Sequence, residues 1–274
     1  ASLGVTTFHV LDYWNGYRDR MTLDGLPMFV PDRYFVPDEY ARKHAIIEKV
    51  PQSAIQVSGQ PAFADTLHAY EDAANNKNFS IVLEQDCSLK DQLKLMFVAE
   101  PVAADQGNTL EDNPGYRGYT EYDVIKLLLE AAFHTHQKIC LYVLPHPRND
   151  VNKLKQYIEE VDTSCSMKLI VDHRGRNLLP HVDGVVGMAS TLLYEAWLVG
   201  KPVFSLQPGL LKTSLRMLQG RDNVVFVDDA SEATDFFVGW LNDLHDVCIR
   251  NELIDHLKAA DFIRHEVKTI TGMD

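Results

Sequence analysis

From residue 93 onward, short apolar runs alternate with helical stretches, and this alternation limits the fold more than any other feature of the sequence. The runs are LKLMFVAEP (93–101), KICLYVL (138–144), MKLIVDH (167–173), residues 185–187, residues 203–206 and DNVVFVDD (222–229). Between them, EYDVIKLLLEAAFHTH (121–136) places apolar residues three and four apart, the spacing of an amphipathic helix. NDVNKLKQYIEEV (149–161), residues 192–199 and SEATDFFVGWLNDLHDV (231–247) read the same way, the last with Ser231 as its N-cap. Buried strands separated by amphipathic helices predict βαβ units and a doubly wound, Rossmann-like parallel sheet of α/β class. Residues 103–120 read as a long polar loop and the tail as a helix.

The first part of the chain is less regular. GVTTFHVLDYW (4–14) reads as a strand running into a loop, and residues 33–36 as a second strand. Pro37, Asp38 and Glu39 mark a helix start, where the dipole favours acidic side chains. A third strand at 55–57 ends before Gly59 and Pro61. Residues 64–93 are polar and helical, with a turn at NNKN (75–78). The expected organisation is a partial N-terminal α/β domain at 1–63, linker helices at 64–93, a Rossmann-like domain at 94–250 and a C-terminal helix at 251–274.

Composition excludes several classes of function. The formal net charge of −13 repels phosphate backbones, and no run of Lys and Arg offsets it, so no nucleic-acid partner is expected. Cys87, Cys140, Cys165 and Cys248 are widely spaced without a CxxC pair, which argues against a disulfide framework or a zinc site and for a reducing, cytoplasmic setting. Cys140 reads as a small core residue. No apolar stretch is long enough to span a membrane, and ASLGVTTFHVLDYW lacks the basic start of a signal peptide.

In sheets of this kind, ligands bind beyond the carboxyl ends of the strands, so the loops after strands hold the candidate residues. Gly187-Met188-Ala189-Ser190-Thr191 turns from a strand into a helix. Ser190 and Thr191 can cap that helix, or its N–H groups can bind a phosphate; both readings stand. Glu195, one turn inside among apolar neighbours, suits a ribose diol better than a core. His146 and Arg148 follow the strand at 139–144, an acid–base group beside a phosphate partner, or else a loop His and a solvated Arg. Asp172, His173, Arg174 and Arg176 follow the next strand and either surround a nucleotide base or form a surface turn. Asp12 ends the first strand, with Trp14, Tyr17, Arg18 and Arg20 behind it, either a sugar or catalytic site or ordinary packing and surface residues. The 105–119 loop, with Asp105, Gln106, Tyr116 and Arg117, is longer than typical connections and is either a lid over such a site or a loose excursion.

GMASTLLYEAWLVGKPVFSLQPG resembles the donor-binding segment of GT-B glycosyltransferases and of the related UDP-N-acetylglucosamine 2-epimerases, hydrolysing and non-hydrolysing. FHVLDYWNGYRDR resembles the epimerase stretch that begins His-Val-Glu-Ala-Gly, VPDRYFVPDEYARKHAIIEKVPQSAIQVSGQPAFAD resembles the end of a GT-B N-terminal domain, and VLPHPRND resembles the family's His-Pro loop. The resemblance implies a GT-B-type fold with a shortened N-terminal half. It implies that Gly187, Ser190, Thr191 and the helix N–H groups hold a diphosphate and Glu195 a ribose. His146 and Arg148 then lie near phosphate or sugar, and Asp12 corresponds to the acidic residue of the N-terminal strand. FVAEPVAADQ has no His where epimerases carry His-Arg-x-Glu-Asn, and Ala-Ser-Thr replaces their Ser-Gly-Gly, which brings the chain closer to transferases of surface polysaccharides. The expected function is therefore a glycosyltransferase of polysaccharide biosynthesis. It would bind a nucleotide-sugar, UDP-linked, and pass the sugar to a glycan or lipid-linked acceptor, with His173 and Arg174 at the nucleotide and no metal or other cofactor. A 2-epimerase or nucleotide-sugar hydrolase and a non-catalytic nucleotide-sugar-binding scaffold are the alternatives, and a second copy of the chain is a candidate partner.

Overall fold

The structure is a computed structural model that describes residues 4–24, 26–76, 92–161, 165–171, 175–212 and 215–272. Asp172, His173 and Arg174, Cys87 and residues 77–91 of the expected 64–93 linker lie outside the described residues. The chain divides into two compact units, Ala1–Leu67 with Arg250–Asp274, and His68–Ile249.

The first unit holds a three-stranded parallel sheet of β1 (Phe8–Val10), β2 (Arg33–Val36) and β3 (Ile55–Val57), in that order. The two aligned pairs put Val10 opposite Phe35 and Phe35 opposite Gln56. Helix α1 (Glu39–Ile47) starts where the acidic residues lie, because the Asp38 carboxylate accepts the Ala41 N–H at 2.8 Å and satisfies one orphan donor of its first turn. Trp14, Tyr17, Tyr34 and Phe35 form the buried aromatic core of this unit. Helix α2 (Ala64–Asn75) carries the chain onward, and the division between the units falls within it.

The second unit is a six-stranded, all-parallel sheet: β4 (Leu93–Val98), β5 (Ile139–Leu144), β6 (Ser166–Leu169), β7 (Gly184–Gly187), β8 (Val203–Leu206) and β9 (Val224–Val227). Their spatial order is β6-β5-β4-β7-β8-β9. This is the doubly wound 3-2-1-4-5-6 order, and its direction reverses between β4 and β7. Val98, the last residue of β4, lies opposite Gly187, the last of β7.

The connecting helices are α3 (Val102–Gln106), α4 (Glu121–Ala132), α5 (Val151–Glu160), α6 (Gly175–Leu178), α7 (Thr191–Leu198) and α8 (Ala233–Asn242). The short α3 stands where the sequence reads as loop; five residues give no repeat of the helical period to detect. A capping box of Thr120 and Asp123 starts α4. Ser231 is not the N-cap expected of it. Asp229 accepts its N–H and O–H within a short 3-10 turn, Ala230–Glu232, that precedes α8, so the local Asx bonds delay the helix by one residue and Glu232 becomes its N-cap. Leu95, Phe97, Leu141, Val186 and Phe204 of the sheet pack with Val124, Leu128, Phe237 and Trp240 of the helices.

The last helix, α9 (Glu252–Thr271), belongs to the first unit. Its buried His256 accepts the Gln60 N–H on Nδ1 at 2.9 Å, and its backbone at Asp255 comes so near Gly59 that a Cβ there would collide with it. Among the described residues no helix is long and apolar enough to cross a membrane.

Candidate functional site

The reversal point between β4 and β7 is where the topology opens a crevice at the strand ends. Glu100, two residues past β4, and Ala189, two residues past β7, meet across it: Glu100 Oε2 accepts the Ala189 N–H at 2.7 Å. Arg117, from the segment between α3 and α4, donates to Glu100 Oε1 at 3.0 Å. Both side chains are largely buried, so the pair is a low-dielectric one in which each charge depends on the other. Tyr119 and Gln207 extend the network: the Tyr119 hydroxyl donates to Gln207 Oε1 at 3.1 Å, and Gln207 Nε2 donates to the Met188 carbonyl at 3.2 Å. The β7–α7 turn is thus held on one side by a carboxylate and on the other by a buried amide. Gly118 and Gly209 let the two loops around this network touch. A Cβ on Gly118 would overlap the Gly209 carbonyl, and both glycines have positive φ.

A second cluster stands at the carboxyl end of β5. The His146 N–H donates to Asn149 Oδ1 at 2.7 Å, and the Arg148 N–H donates to His146 Nδ1 at 3.1 Å. With Nδ1 accepting, neutral His146 carries its proton on Nε2. Burial lowers the His146 pKa from its ordinary 6.5, the Arg148 charge lowers it further, and Glu100 and Asp105 oppose both. The Arg148 guanidinium pairs with Asp105 at 2.6 Å. Buried Glu121, the first residue of α4, ties the loops together by accepting the Ala103 N–H at 2.8 Å and the Asn149 amide at 3.2 Å. Its burial raises the carboxyl pKa above 4.5, against the Ala103 N–H bond, which lowers it.

The β7–α7 turn realises the capping reading of Ser190. Its Oγ accepts the Leu192 N–H at 3.2 Å, and Thr191 is the first helical residue. Gly187 is required by space: a Cβ would lie 2.9 Å from Leu193 Cδ1 and 3.0 Å from the Val98 carbonyl oxygen. Glu195 is only 4% exposed, and Arg176 holds it through two contacts, Nε to Oε2 and Nη2 to Oε1 at 3.0 Å. Lys201 of the Gly-Lys-Pro segment is buried and structural; it donates to the Val182 carbonyl at 3.0 Å and to Asp246 at 2.7 Å.

His146, Arg148, Gly187, Ser190, Thr191 and Glu195 all belong to the second unit: His146 and Arg148 follow β5, Gly187 ends β7, Ser190 and Thr191 open α7, and Glu195 lies one turn inside it. Asp12 belongs to the first unit, where it follows β1 and pairs with Arg20; burial and that Arg20 charge lower the His9 pKa, which Asp12 opposes. His173 and Arg174 lie outside the described residues. Sequence reading did not single out Glu100, Glu121 or Gln207. The signal for Glu100 was present, because an acid directly after a buried strand end is costly unless it has a partner. Among the described residues no three His, Cys, Asp or Glu side chains gather as a metal-binding group.

A Rossmann-ordered parallel sheet accompanied by a smaller parallel α/β unit is a GT-B-type α/β fold. Solved structures share this fold. One is the UDP-GlcNAc 2-epimerase of Methanocaldococcus jannaschii in complex with UDP-GlcNAc and UDP, at 15% identity and a TM-score of 0.59, over 86% of this chain and 61% of that one. Another is the UDP-GlcNAc 2-epimerase of Neisseria meningitidis bound to UDP-GlcNAc, at 13% identity and a TM-score of 0.60, over 87% and 62%. A third is HepE of Anabaena in complex with UDP and glucose, at 11% identity and a TM-score of 0.55, over 88% and 64%. The chain therefore spans somewhat under two thirds of the length of each. No protein-family model matches the sequence, and no curated protein matches it.

Proposed function

We propose that the chain binds a UDP-linked sugar at the reversal point of its second unit and acts on the bond between sugar and diphosphate, as a 2-epimerase or nucleotide-sugar hydrolase does. The reading is supported by His146, Arg148 and the Ser190–Thr191 helix start each following a strand of the second unit's parallel sheet, in a fold shared with UDP-GlcNAc 2-epimerases. The α7 N–H groups, Ser190, Thr191 and Arg148 take the diphosphate. Glu195, steadied by Arg176, accepts the ribose hydroxyls. Arg148 and the helix dipole stabilise the departing diphosphate, a charge that develops only as the bond breaks. His146, neutral near pH 7, moves the proton. Charge neutralisation is assigned to these groups, so the reading calls for no metal.

Transfer to a glycan or lipid-linked acceptor is the second reading. The FVAEPVAADQ segment favours it, because it lacks the His of the epimerase His-Arg-x-Glu-Asn segment that it resembles. Incubation of the chain with UDP-GlcNAc and no acceptor separates the two. Release of UDP or appearance of the 2-epimer supports the first, and turnover that begins only when a glycan acceptor is added supports the second. A ligand at about 100 times its Kd stabilises the fold by roughly 2.7 kcal/mol. Absence of any thermal shift with UDP, GDP, CDP or their sugar conjugates would overturn both readings, and a selective shift without turnover would favour a non-catalytic binding scaffold.

A further inference from the structure

The opposite end of the same sheet carries a groove that the nucleotide-sugar reading does not use. It has a volume of about 460 Å³ and is lined by Asn223, Val224 and Val225 of the β9 strand and by Asp235, Phe236 and Trp240 of α8, among others. Asn223 precedes β9, and Asp243 is the C-cap residue of α8. The groove thus lies toward the amino ends of the strands, away from the crevice that a substrate of this fold enters.

Three observations describe what fits it. First, β9 is an edge strand. The Val203 N–H donates to the Asn223 carbonyl and the Gln207 N–H to the Val227 carbonyl, so in a parallel ladder the main-chain groups of Val224 and Phe226 face away from the sheet. Among the described residues no strand pairs with that side. An unpaired edge beside a helix is a template for an added strand. Second, the lining is largely apolar, with Val224, Val225 and Trp240 among its residues. Phe236 is 47% exposed, a large apolar surface at the rim. Third, the field is negative. Asp235 and Asp243 line the groove, and the carboxyl end of α8 adds its partial charge. His245 stands 3.8 Å from Asp243 and is charged only when protonated.

We propose that this groove binds an extended peptide segment of a partner protein, apolar on one face and carrying Lys or Arg on the other, which pairs with β9 and sets its cationic side chains against Asp235 and Asp243. A second copy of this chain suits the edge but not the charge, since pairing β9 with β9 would bring both sets of aspartates together on chains of net charge −13.

The test uses fluorescein-labelled peptides of alternating Val and Lys, of alternating Val and Glu, and of Val and Lys with prolines in place of alternate valines. Anisotropy is read against the whole chain. The Val-Lys peptide is expected to bind, the Val-Glu peptide not to bind, and the proline peptide to lose about tenfold or more, because it cannot donate to the ladder. Gly239 supplies the control: it lies on α8 with ordinary φ, and a Cβ there would have nothing within 4 Å, so Gly239→Arg fills the groove without distorting the helix. This variant is expected to fold, with an unchanged or higher Tm, and to lose the peptide. The double variant Asp235→Asn with Asp243→Asn is expected to bind about tenfold more weakly and with less salt dependence. No Val-Lys binding at about 1 mM, or equal binding by folded Gly239→Arg, overturns the proposal. Concentration-dependent dimerisation that Gly239→Arg abolishes would assign the groove to a second copy and overturn it as well.

Discussion

Glu195 and Arg176 show how much a single residue's role depends on its partner. Glu195 is buried in a helix of apolar neighbours, and the Arg176 fork keeps its charge there. Removing one member of a buried pair leaves the other uncompensated. Arg176→Ala is therefore expected to lower stability by about 3 kcal/mol in urea unfolding, far more than a surface pair would. Glu195→Gln with Arg176→Met restores neutrality; it is expected to recover much of that loss while weakening UDP-sugar affinity by about tenfold. Recovery of stability with unchanged affinity would remove Glu195 from the ribose. His146 gives a pH prediction. Burial holds its pKa below 6.5, so between the folded value and 6.5 the unfolded chain binds more protons, and stability rises with pH through that window. His9 and His44, also lowered first by burial, act in the same direction. Urea midpoints measured from about pH 5 to about pH 7 are expected to climb, and those of the His146→Gln variant to climb less. Glu121 acts oppositely: its raised carboxyl pKa makes stability fall as pH rises above 4.5 toward the folded value.

At the scale of elements, the site depends on loops that are fastened rather than loose. Thr120 and Asp123 close the start of α4, and Glu121 beside them bridges Ala103 to Asn149, which in turn holds His146. Thr120→Ala is expected to reduce stability by about 1 kcal/mol, the usual worth of a cap. The two glycines where loops touch should respond unequally. Gly118→Ala drives a Cβ into the Gly209 carbonyl at φ +107 and is expected to lose about 3 kcal/mol. Gly209→Ala meets its nearest neighbour at 3.6 Å and carries only the strain of φ +73, about 1 kcal/mol. Equal effects in denaturant melts would mean that the loops do not hold this contact in solution. The strands and long helices were legible in the sequence because apolar periodicity over ten or so residues is hard to mistake. Short α3 and the 3-10 turn before α8 were not, since hydrogen bonds of one or two side chains decide such pieces.

At the scale of the whole chain, the first unit is assembled from both ends of the sequence, with α9 returning to Gly59, Gln60 and Phe63. Deletion of residues 250–274 is expected to abolish the calorimetric transition of the first unit and leave that of the second. A single unchanged transition would show that α9 is dispensable. The sequence alone determined the α/β class, the parallel sheet of the second unit, and the loops where chemistry can sit. These follow from local patterns, namely period, polarity and turn residues, that each segment carries within itself. It also placed His146, Arg148 and Ser190 just after strand ends and Glu195 one turn inside the next helix, because the end of an apolar run is visible in one dimension. Which groups meet was decided only by the tertiary structure. Glu100 reaches Ala189 across 89 positions, Tyr119 reaches Gln207 across 88, and α9 joins the first unit across nearly the whole chain. No local pattern encodes such pairs; they form because strand order brings distant loops together and a buried charge or amide there must find a partner.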